Sequence, residues 1–230
     1  MSIPAVDLMT TLRSGQSTSP RLTWYGPDSE RVELSGRVLD NWVAKTSNLL
    51  QDELDAEPGM ALRLDVPAHW KSFVWALAAW QVGMEVVMDG TPADILVTDT
   101  PDDAGGGFDA VVAVPLAALA MRWPGNLPAG VVDYAAEVRS HGDVFMAHNE
   151  PTPDLPAVRG TVSHLHNGLL TDFATVDEPG VRLLVRASEG LESGLAASLG
   201  AWTVNGSVVL VHPGTDVTDH LIANERVSRS

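Results

Sequence analysis

The chain has 230 residues, 45% of them hydrophobic, and carries a formal net charge of −16 at pH 7. A chain of this length buries enough surface to fold without a disulfide or a structural metal. It contains no cysteine, which excludes disulfides, cysteine-ligated metal centres and thiol nucleophiles. The negative charge argues against nucleic acid and anionic membranes as partners, because both require basic surfaces.

The first residues include Asp7 and have no basic leader ahead of an apolar core, so they do not resemble a signal peptide. The longest strongly apolar run, Ser72 to Met84, is too short to span a bilayer as a helix. Together with the lack of cysteine, these features predict a cytoplasmic protein.

Turn residues and helix caps divide the first half of the chain. Gly26 to Ser29 separates two β-type runs, Ser35 is a candidate helix N-cap, and Gly83 is placed to end a buried helix. The predicted elements are a short helix within residues 1–20, strands at Arg21–Tyr25 and Arg31–Leu34, a helix from Ser35 to Leu50, a strand at Met60–Val66, a helix from His69 to Gly83, and strands at Glu85–Met88, Ile95–Val97 and Ala110–Val114.

The second half shows the same alternation of short apolar runs and helical patterns. The predicted elements are helices at Leu116–Trp123 and Tyr134–Ser140, a strand at Val144–Ala147, a loop at 149–160, a helix at Val162–Ala174, a strand at Val181–Val185, a helix at Leu191–Ala201 and a strand at Ser207–His212. Such alternation predicts an α/β fold with a mostly parallel, doubly wound sheet and helices on both faces. We expect one domain over 1–212 and a polar tail over 213–230.

Three stretches carry a resemblance to a known family. They are LTWYGPDSERVELSGRVLDNWVAKTSNLLQDEL (Leu22–Leu54), PGMALRLDVPAHWKSFVWALAAWQVGMEVV (Pro58–Val87) and RGTVSHLHNGLL (Arg159–Leu170). Together they resemble the N-terminal part of AMP-binding acyl-CoA synthetases and related adenylate-forming enzymes. Short, uncharacterised actinobacterial proteins are similar in the same way, and the chain is identified as a member of that group. The resemblance implies the N-terminal subdomain fold of these enzymes.

The resemblance also locates a degenerate phosphate-binding loop. Where the family has a loop rich in Gly, Ser and Thr, this chain reads AHNEPTPDLPAVRG over Ala147–Gly160. The residues that the resemblance assigns to a vestigial phosphate-binding region are Thr152, Arg159, Gly160 and His164. Cradling phosphates takes several backbone N–H groups.

Other residues of the loop oppose phosphate binding. Its three prolines remove three N–H donors, and Glu150 and Asp154 place negative charge beside any phosphate. Losing one oriented donor typically slows such chemistry by about a hundredfold to a thousandfold. The family's catalytic lysine belongs to a C-terminal domain, whereas this chain has no lysine after Lys71.

We therefore expect a non-catalytic, degenerate relative with no catalytic residue and no metal site, in which ATP, AMP or coenzyme A would not bind productively. It would act by binding a small acyl or coenzyme A-type ligand or a protein partner. One alternative is half of a split synthetase, completed by a lysine-bearing partner chain. Another is an interaction protein without a ligand pocket, which an apolar cleft near 144–160 would contradict.

Other conspicuous residues favour structural roles. His164 and His166 lie two apart in a predicted helix, so they point to different faces and are better explained as a cap or surface pair than as metal ligands. The acidic residues around Gly105–Gly107 match no calcium loop. Trp70, Trp75 and Trp80 share one apolar helix and are explained either as core or as the surface of a homodimer.

Overall fold

The computed structural model describes residues 3–14, 17–118, 120–175 and 178–228. The α-helices are α1 (Pro4–Ser14), α2 (Gly36–Glu53), α3 (Trp70–Val82), α4 (Tyr134–Glu137), α5 (Leu191–Thr203) and α6 (Asp219–Glu225). The strands are β1 (Pro20–Tyr25), β2 (Arg31–Ser35), β3 (Ala61–Asp65), β4 (Glu85–Val87), β5 (Ile95–Thr98), β6 (Ala110–Ala113), β7 (Val131–Asp133), β8 (Pro156–Arg159), β9 (His164–Leu165), β10 (Arg182–Arg186) and β11 (Ser207–Val211).

The strands form two sheets. The larger has the order β7-β6-β5-β3-β4-β8-β9 and is parallel except for β9 at its edge. The smaller has the order β10-β11-β1-β2 and is parallel except for β2. The predicted α/β class and mostly parallel arrangement are confirmed. The strands divide between two sheets because β1 pairs with β11, near the other end of the chain, as in Leu22 opposite Val208.

Helix α3 lies at the centre of the core. All thirteen of its residues are buried. It packs against β3 and β4 of the larger sheet, whereas α5 packs against β10 and β11 of the smaller one. Trp70, Trp75 and Trp80 are at most 2% exposed, and the Trp80 indole donates to the Ala157 carbonyl at 2.7 Å. The tryptophans therefore belong to the core, and they do not form the surface that the homodimer hypothesis required.

The predicted caps of α2 and α3 are confirmed. The Ser35 hydroxyl accepts a hydrogen bond from the Val38 N–H at 3.3 Å. Gly83 ends α3 with a φ of +93°, a conformation that favours glycine. A Cβ there would also lie 2.3 Å from Cβ of Pro151. In the described part of the chain, no helix has the length and apolarity needed to cross a membrane.

The helix predicted at Leu116–Trp123 is wrong for the described residues, which leave out Leu119. The segment forms turns because side chains from elsewhere take up its backbone groups. The Lys71 ammonium donates to the carbonyls of Pro115 and Ala117, and Glu30 accepts from the Ala118 N–H at 2.7 Å. These backbone carbonyl and N–H groups are therefore not available for the hydrogen bonds of a helix.

The strand predicted at Val144–Ala147 is also wrong, since the segment pairs with no strand. Its carbonyls bind side chains of α2 instead. The Asn48 amide donates to the carbonyls of Gly142 and Val144 at 2.9 and 3.0 Å, and Gln51 donates to the Met146 carbonyl at 3.3 Å. These bonds hold the segment along α2.

The loop predicted at 149–160 and the helix predicted at Val162–Ala174 need correction. Residues 156–159 form β8, which pairs with β4 and turns at 160–163 into β9. A short 3-10 turn and a π turn follow β9. The His166 and Asn167 N–H groups donate back to the carbonyls of Leu155 and Pro153, so the chain folds onto itself at the point where a helix was expected.

Helix α6 lies on the outer face of the smaller sheet and is held there by a buried carboxylate. Glu225 accepts from the Tyr25 hydroxyl at 2.6 Å and from Arg31 at 2.9 Å, and it also pairs with Arg182. Burial acts to raise the pKa of Glu225, but the hydrogen bonds from Tyr25, Arg182 and Arg31 together hold that pKa below its ordinary value.

Replacing Glu225 should destabilise the fold. Glu225→Gln leaves Arg182 without a carboxylate partner and Arg31 with Glu33 alone, and breaking a buried ion pair costs about 3 kcal/mol. We expect Tm at pH 7 to fall by roughly 6–12 °C in calorimetry. Because the folded pKa is depressed, the wild-type advantage is present above the unfolded pKa and is lost as pH falls below about 4. Asp216→Asn, an exposed carboxylate nearby, is the control and should leave Tm unchanged; an equal fall in both variants would contradict the assignment.

Candidate functional site

A cleft of about 490 Å³ opens at the carboxyl ends of β3, β4, β5 and β8. The chain runs from β3 to β4 on one side and then crosses back to β5 on the other, so the strand order reverses around β3. In open α/β sheets, ligands bind in the crevice outside such a switch point. The volume is also in the range of small-molecule sites.

The cleft is built from loops that follow strands and from one helix start. Its walls are the end of β3 with the residues after it, single residues after β4 and β5, the β8–β9 turn, and the first turn of α5. The lining residues are Leu64, Asp65, Val66, Pro67, Met88, Asp99, Thr161, Glu189, Gly190, Leu191, Glu192 and Ser193.

The charge in the cleft is negative. Four carboxylates line it, those of Asp65, Asp99, Glu189 and Glu192, and neither lysine nor arginine is among its lining residues. Arg63 pairs with Asp65 at 3.1 Å from outside the cleft. Burial raises the pKa of Asp99, and the nearby Asp65 raises it further. The cleft therefore favours neutral or cationic groups over phosphates.

Glu192 occupies the donors of the β8–β9 turn. Its carboxylate accepts from the Thr161 N–H at 3.1 and 3.0 Å and from the Thr161 hydroxyl at 2.9 Å. A Cβ on Gly160 would lie 2.7 Å from this carboxylate, so the glycine permits the close approach. An internal anion thus holds the backbone donor that a bound phosphate would need.

The four residues assigned to a vestigial phosphate-binding region lie before β8, at its end, just after it, and on β9. Thr152 precedes β8, whereas Arg159 ends it and Gly160 follows, so the strand separates them. Arg159 is engaged by Glu85, with 3.1 Å between its Nε and the carboxylate, and by the Thr91 hydroxyl at 3.3 Å. His164 lies on β9, with its ring 5.4 Å from that of Phe173.

The interpretation of His166 as a cap or surface residue is wrong, because it is fully buried. Burial lowers the pKa of its imidazole. His164 and His166 also lie outside any α-helix, on β9 and the 3-10 turn after it. No group of three or more His, Asp or Glu residues among the described ranges could hold a metal ion.

A second groove, of about 330 Å³, lies between α1 and residues 145–151. Its apolar wall includes Val6, Met9 and Phe145. A groove of this size near 144–160 counts against an interaction protein without any ligand pocket.

The family of the chain follows from its similarity to a curated protein. No family model matches the chain. A TIGR03089 family protein of Mycobacterium tuberculosis is 35% identical over 222 residues, which cover 91% of this chain and 90% of that protein. The chain belongs to the TIGR03089 family. This agrees with the predicted membership of a group of short relatives.

Solved structures show what fold this family member has. An acyl-CoA synthetase of Brucella canis superposes with a TM-score of 0.74 at 16% identity, covering 99% of this chain and 46% of that one. The anthranilate CoA ligase AuaEII, solved with anthranoyl-AMP, gives 0.65 at 13% identity, covering 96% and 46%. The nonribosomal peptide synthetase FmoA3 gives 0.65 at 18% identity, covering 99% and 25%. The chain spans less than half the length of each, and it has the fold of the N-terminal part of adenylate-forming enzymes.

Sequence reasoning did not predict that Glu192 and Asp99 would line one cleft of this TIGR03089 family member. The stretch Ser188–Gly194 leads from β10 into helix α5. The available signal was an acidic residue in the first turn of that helix, where carboxylates are favoured. Nothing in the local sequence indicated that it would reach Thr161, 31 positions away.

Removing the Glu192 carboxylate should loosen the β8–β9 turn. Glu192→Ala frees the Thr161 N–H, and we expect its hydrogen exchange to quicken by about tenfold because a hydrogen bond to a charged group is worth about 1.5 kcal/mol or more. Amide exchange followed by NMR measures this. Glu189→Ala, a neighbouring exposed carboxylate, should leave the exchange rate unchanged; equal exchange in wild type and Glu192→Ala would rule out the contact.

Neutralising Asp99 should stabilise the protein at neutral pH. Its raised pKa means that the folded state disfavours the ionised carboxylate, so stability is lost as pH rises through the folded pKa. Asp99→Asn removes that penalty. Thermal unfolding should show a higher Tm than wild type at pH 7 and a smaller difference at pH 4. A Tm below that of wild type at both values would mean that the carboxylate is stabilising.

Proposed function

We propose that this protein is a non-catalytic relative of the acyl-adenylate-forming enzymes that binds a small, phosphate-free acyl-type ligand in its strand-end cleft. The observation that carries the proposal is the Glu192 carboxylate on the Thr161 donors. The fold supplies a crevice at the carboxyl ends of the strands, where such sheets bind ligands. The donors that could hold a nucleotide phosphate there are bound to other groups, and the charged side chains that line the crevice are carboxylates.

The charge of the cleft limits the class of ligand. A triphosphate or the phosphates of coenzyme A would approach four carboxylates within a chain of net charge −16. Arg159, the cation nearest in sequence to the turn, is held by Glu85. Leu64, Val66, Pro67, Met88 and Leu191 nevertheless provide apolar surface. A neutral acyl group therefore fits the cleft better than a nucleotide.

The lysines of the chain also support a non-catalytic role. Lys71 is 3% exposed and donates to the carbonyls of Pro115 and Ala117, while Lys45 donates to the His141 carbonyl. Neither residue lines the cleft. Fixed positive charge at the reacting phosphate is the main requirement of phosphoryl and adenylyl transfer, and within this chain the cleft lacks it.

A split synthetase is the second candidate, and the observation that favours it is that the chain covers 46% of the acyl-CoA synthetase it superposes on. Such a system would need a partner chain that contributes a lysine. Copurification from the native host, followed by pyrophosphate-exchange assays on any complex, tests it directly. Exchange activity of the complex, lost when the partner's lysine is replaced, would establish this candidate.

Thermal unfolding with a matched pair of ligands tests the proposed function. Butyryl-pantetheine and butyryl-coenzyme A share an acyl thioester arm, and only the second carries nucleotide phosphates. At a hundred times its Kd, butyryl-pantetheine should raise stability by about 2.7 kcal/mol, or roughly 5–10 °C in Tm. Butyryl-coenzyme A, AMP and Mg·ATP should have much weaker effects.

Blocking the cleft supplies the control. Ser193→Phe places a ring among the lining residues and should abolish the shift, whereas Ser188→Phe, exposed and outside the lining, should keep it. A clear shift with Mg·ATP or AMP in the wild type would overturn the proposal. A shift that survives Ser193→Phe would place the ligand elsewhere.

A further inference from the structure

A separate pocket of about 420 Å³ lies between α2, α3, α4 and residues 118, 120 and 121, and it shares no lining residue with the cleft. We call it the α4 pocket. Its wall is mostly apolar, with Trp42, Met121, Tyr134 and Val138, and it carries two cations, Lys71 and Arg139.

Lys71 enters the α4 pocket from a buried position. Its ammonium donates to the carbonyls of Pro115 and Ala117, and it lies 5.4 Å from the centre of the Trp70 ring. An ammonium has three N–H donors, so two carbonyls leave one donor for another acceptor. The carboxylate that acts on Lys71, Glu30, is itself bound by the Trp24 indole at 2.8 Å and the Ala118 N–H at 2.7 Å.

Arg139 is the second cation and is exposed at the mouth of the α4 pocket. Its guanidinium donates to the Ala120 carbonyl at 3.3 Å and contacts the Met121 sulfur. Among the described residues, no carboxylate lies within 4.0 Å of the charged atoms of Lys71 or Arg139. Burial is the largest influence on the pKa of Lys71 and lowers it. Glu30 raises that pKa, and Arg139, which is close enough to act on Lys71, lowers it further, so the pKa is about 8.

This arrangement is unusual for this chain, which has 30 acidic residues and only 14 basic ones. Two of those few cations share one apolar wall, and among the described residues neither forms an ion pair within 4.0 Å of a carboxylate. Like charges at one site repel each other, and an anion between them would remove that cost. The geometry points to the α4 pocket as a binding site for a small monocarboxylate with an apolar body, its carboxylate held by Lys71 and Arg139.

The chemistry of the walls selects this class of ligand. The guanidinium fork matches the two oxygens of a carboxylate. A single negative charge is attracted by two cations, whereas a polyanion would be repelled by the rest of a chain with net charge −16. The apolar body would pack against Trp42, Tyr134 and Val138, and the volume suits a small molecule.

Calorimetric titration with sodium octanoate tests the proposal on the whole chain. Octan-1-ol has the same chain without the charge and should bind at least tenfold more weakly, as a hydrogen bond to a charged group predicts. Lengthening the probe from hexanoate to octanoate should tighten binding by about fourfold for each methylene that is buried. Arg139→Gln should weaken octanoate by tenfold or more, and Arg139→Lys should recover part of the loss.

The controls separate this site from the cleft. Arg139 is exposed, so its replacement should leave the fold intact, and Arg186→Gln, an exposed arginine on the other sheet, should leave octanoate affinity unchanged. Ser193→Phe, which blocks the cleft, should also leave it unchanged. Absence of octanoate binding, equal affinity for octanoate and octan-1-ol, or loss of binding in Ser193→Phe would each overturn the proposal.

Discussion

The complete burial of helix α3 is the constraint on which the rest of the structure depends. A helix with no exposed face must be covered on every side, so one sheet cannot complete the core. The seven-stranded sheet covers α3 through β3 and β4, while α1 and α2 pack around it and Gly194 of α5 lies against the Phe73 ring. Some of its polar side chains bind neighbouring groups, as where Ser47 donates to Gln81 at 3.2 Å. The pairing of β1 with β11, which joins the smaller sheet, follows from this need to cover α3.

This packing also positions the cleft. Because α3 leaves the carboxyl end of β3 and the next strand returns beside it, the loops after β3, β4, β5 and β8 converge at one edge of the larger sheet. Helix α5 belongs to the smaller sheet, yet its first turn reaches the same edge and contributes Glu192. The site is therefore made by both halves of the core. The fold is shared with adenylate-forming enzymes, but the chemistry of the cleft depends on the side chains placed in it.

The two candidate sites have opposite charge. Carboxylates line the cleft, whereas the α4 pocket holds two of the fourteen basic residues. Residues 115–118 shape the α4 pocket, since the carbonyls of Pro115 and Ala117 hold Lys71 there and the Ala118 N–H is held by Glu30. This segment is fixed by tertiary contacts and has no regular structure of its own, which makes the α4 pocket depend on the packing of distant residues.

Sequence patterns alone predicted the features whose signals are local: the β1–β2 hairpin, the Ser35 cap, the buried α3 ended by Gly83, the α/β class and the resemblance to adenylate-forming enzymes. The division into two sheets, the irregular paths of residues 116–118, 120–123 and 144–147, strand β8, and the contact of Glu192 with Thr161 came from tertiary contacts. The physical reason is that hydrophobic period and capping act over a few residues. Side chains such as Asn48, Lys71 and Glu192, in contrast, bind backbone groups 31 to 96 positions away, and no local pattern encodes those partners.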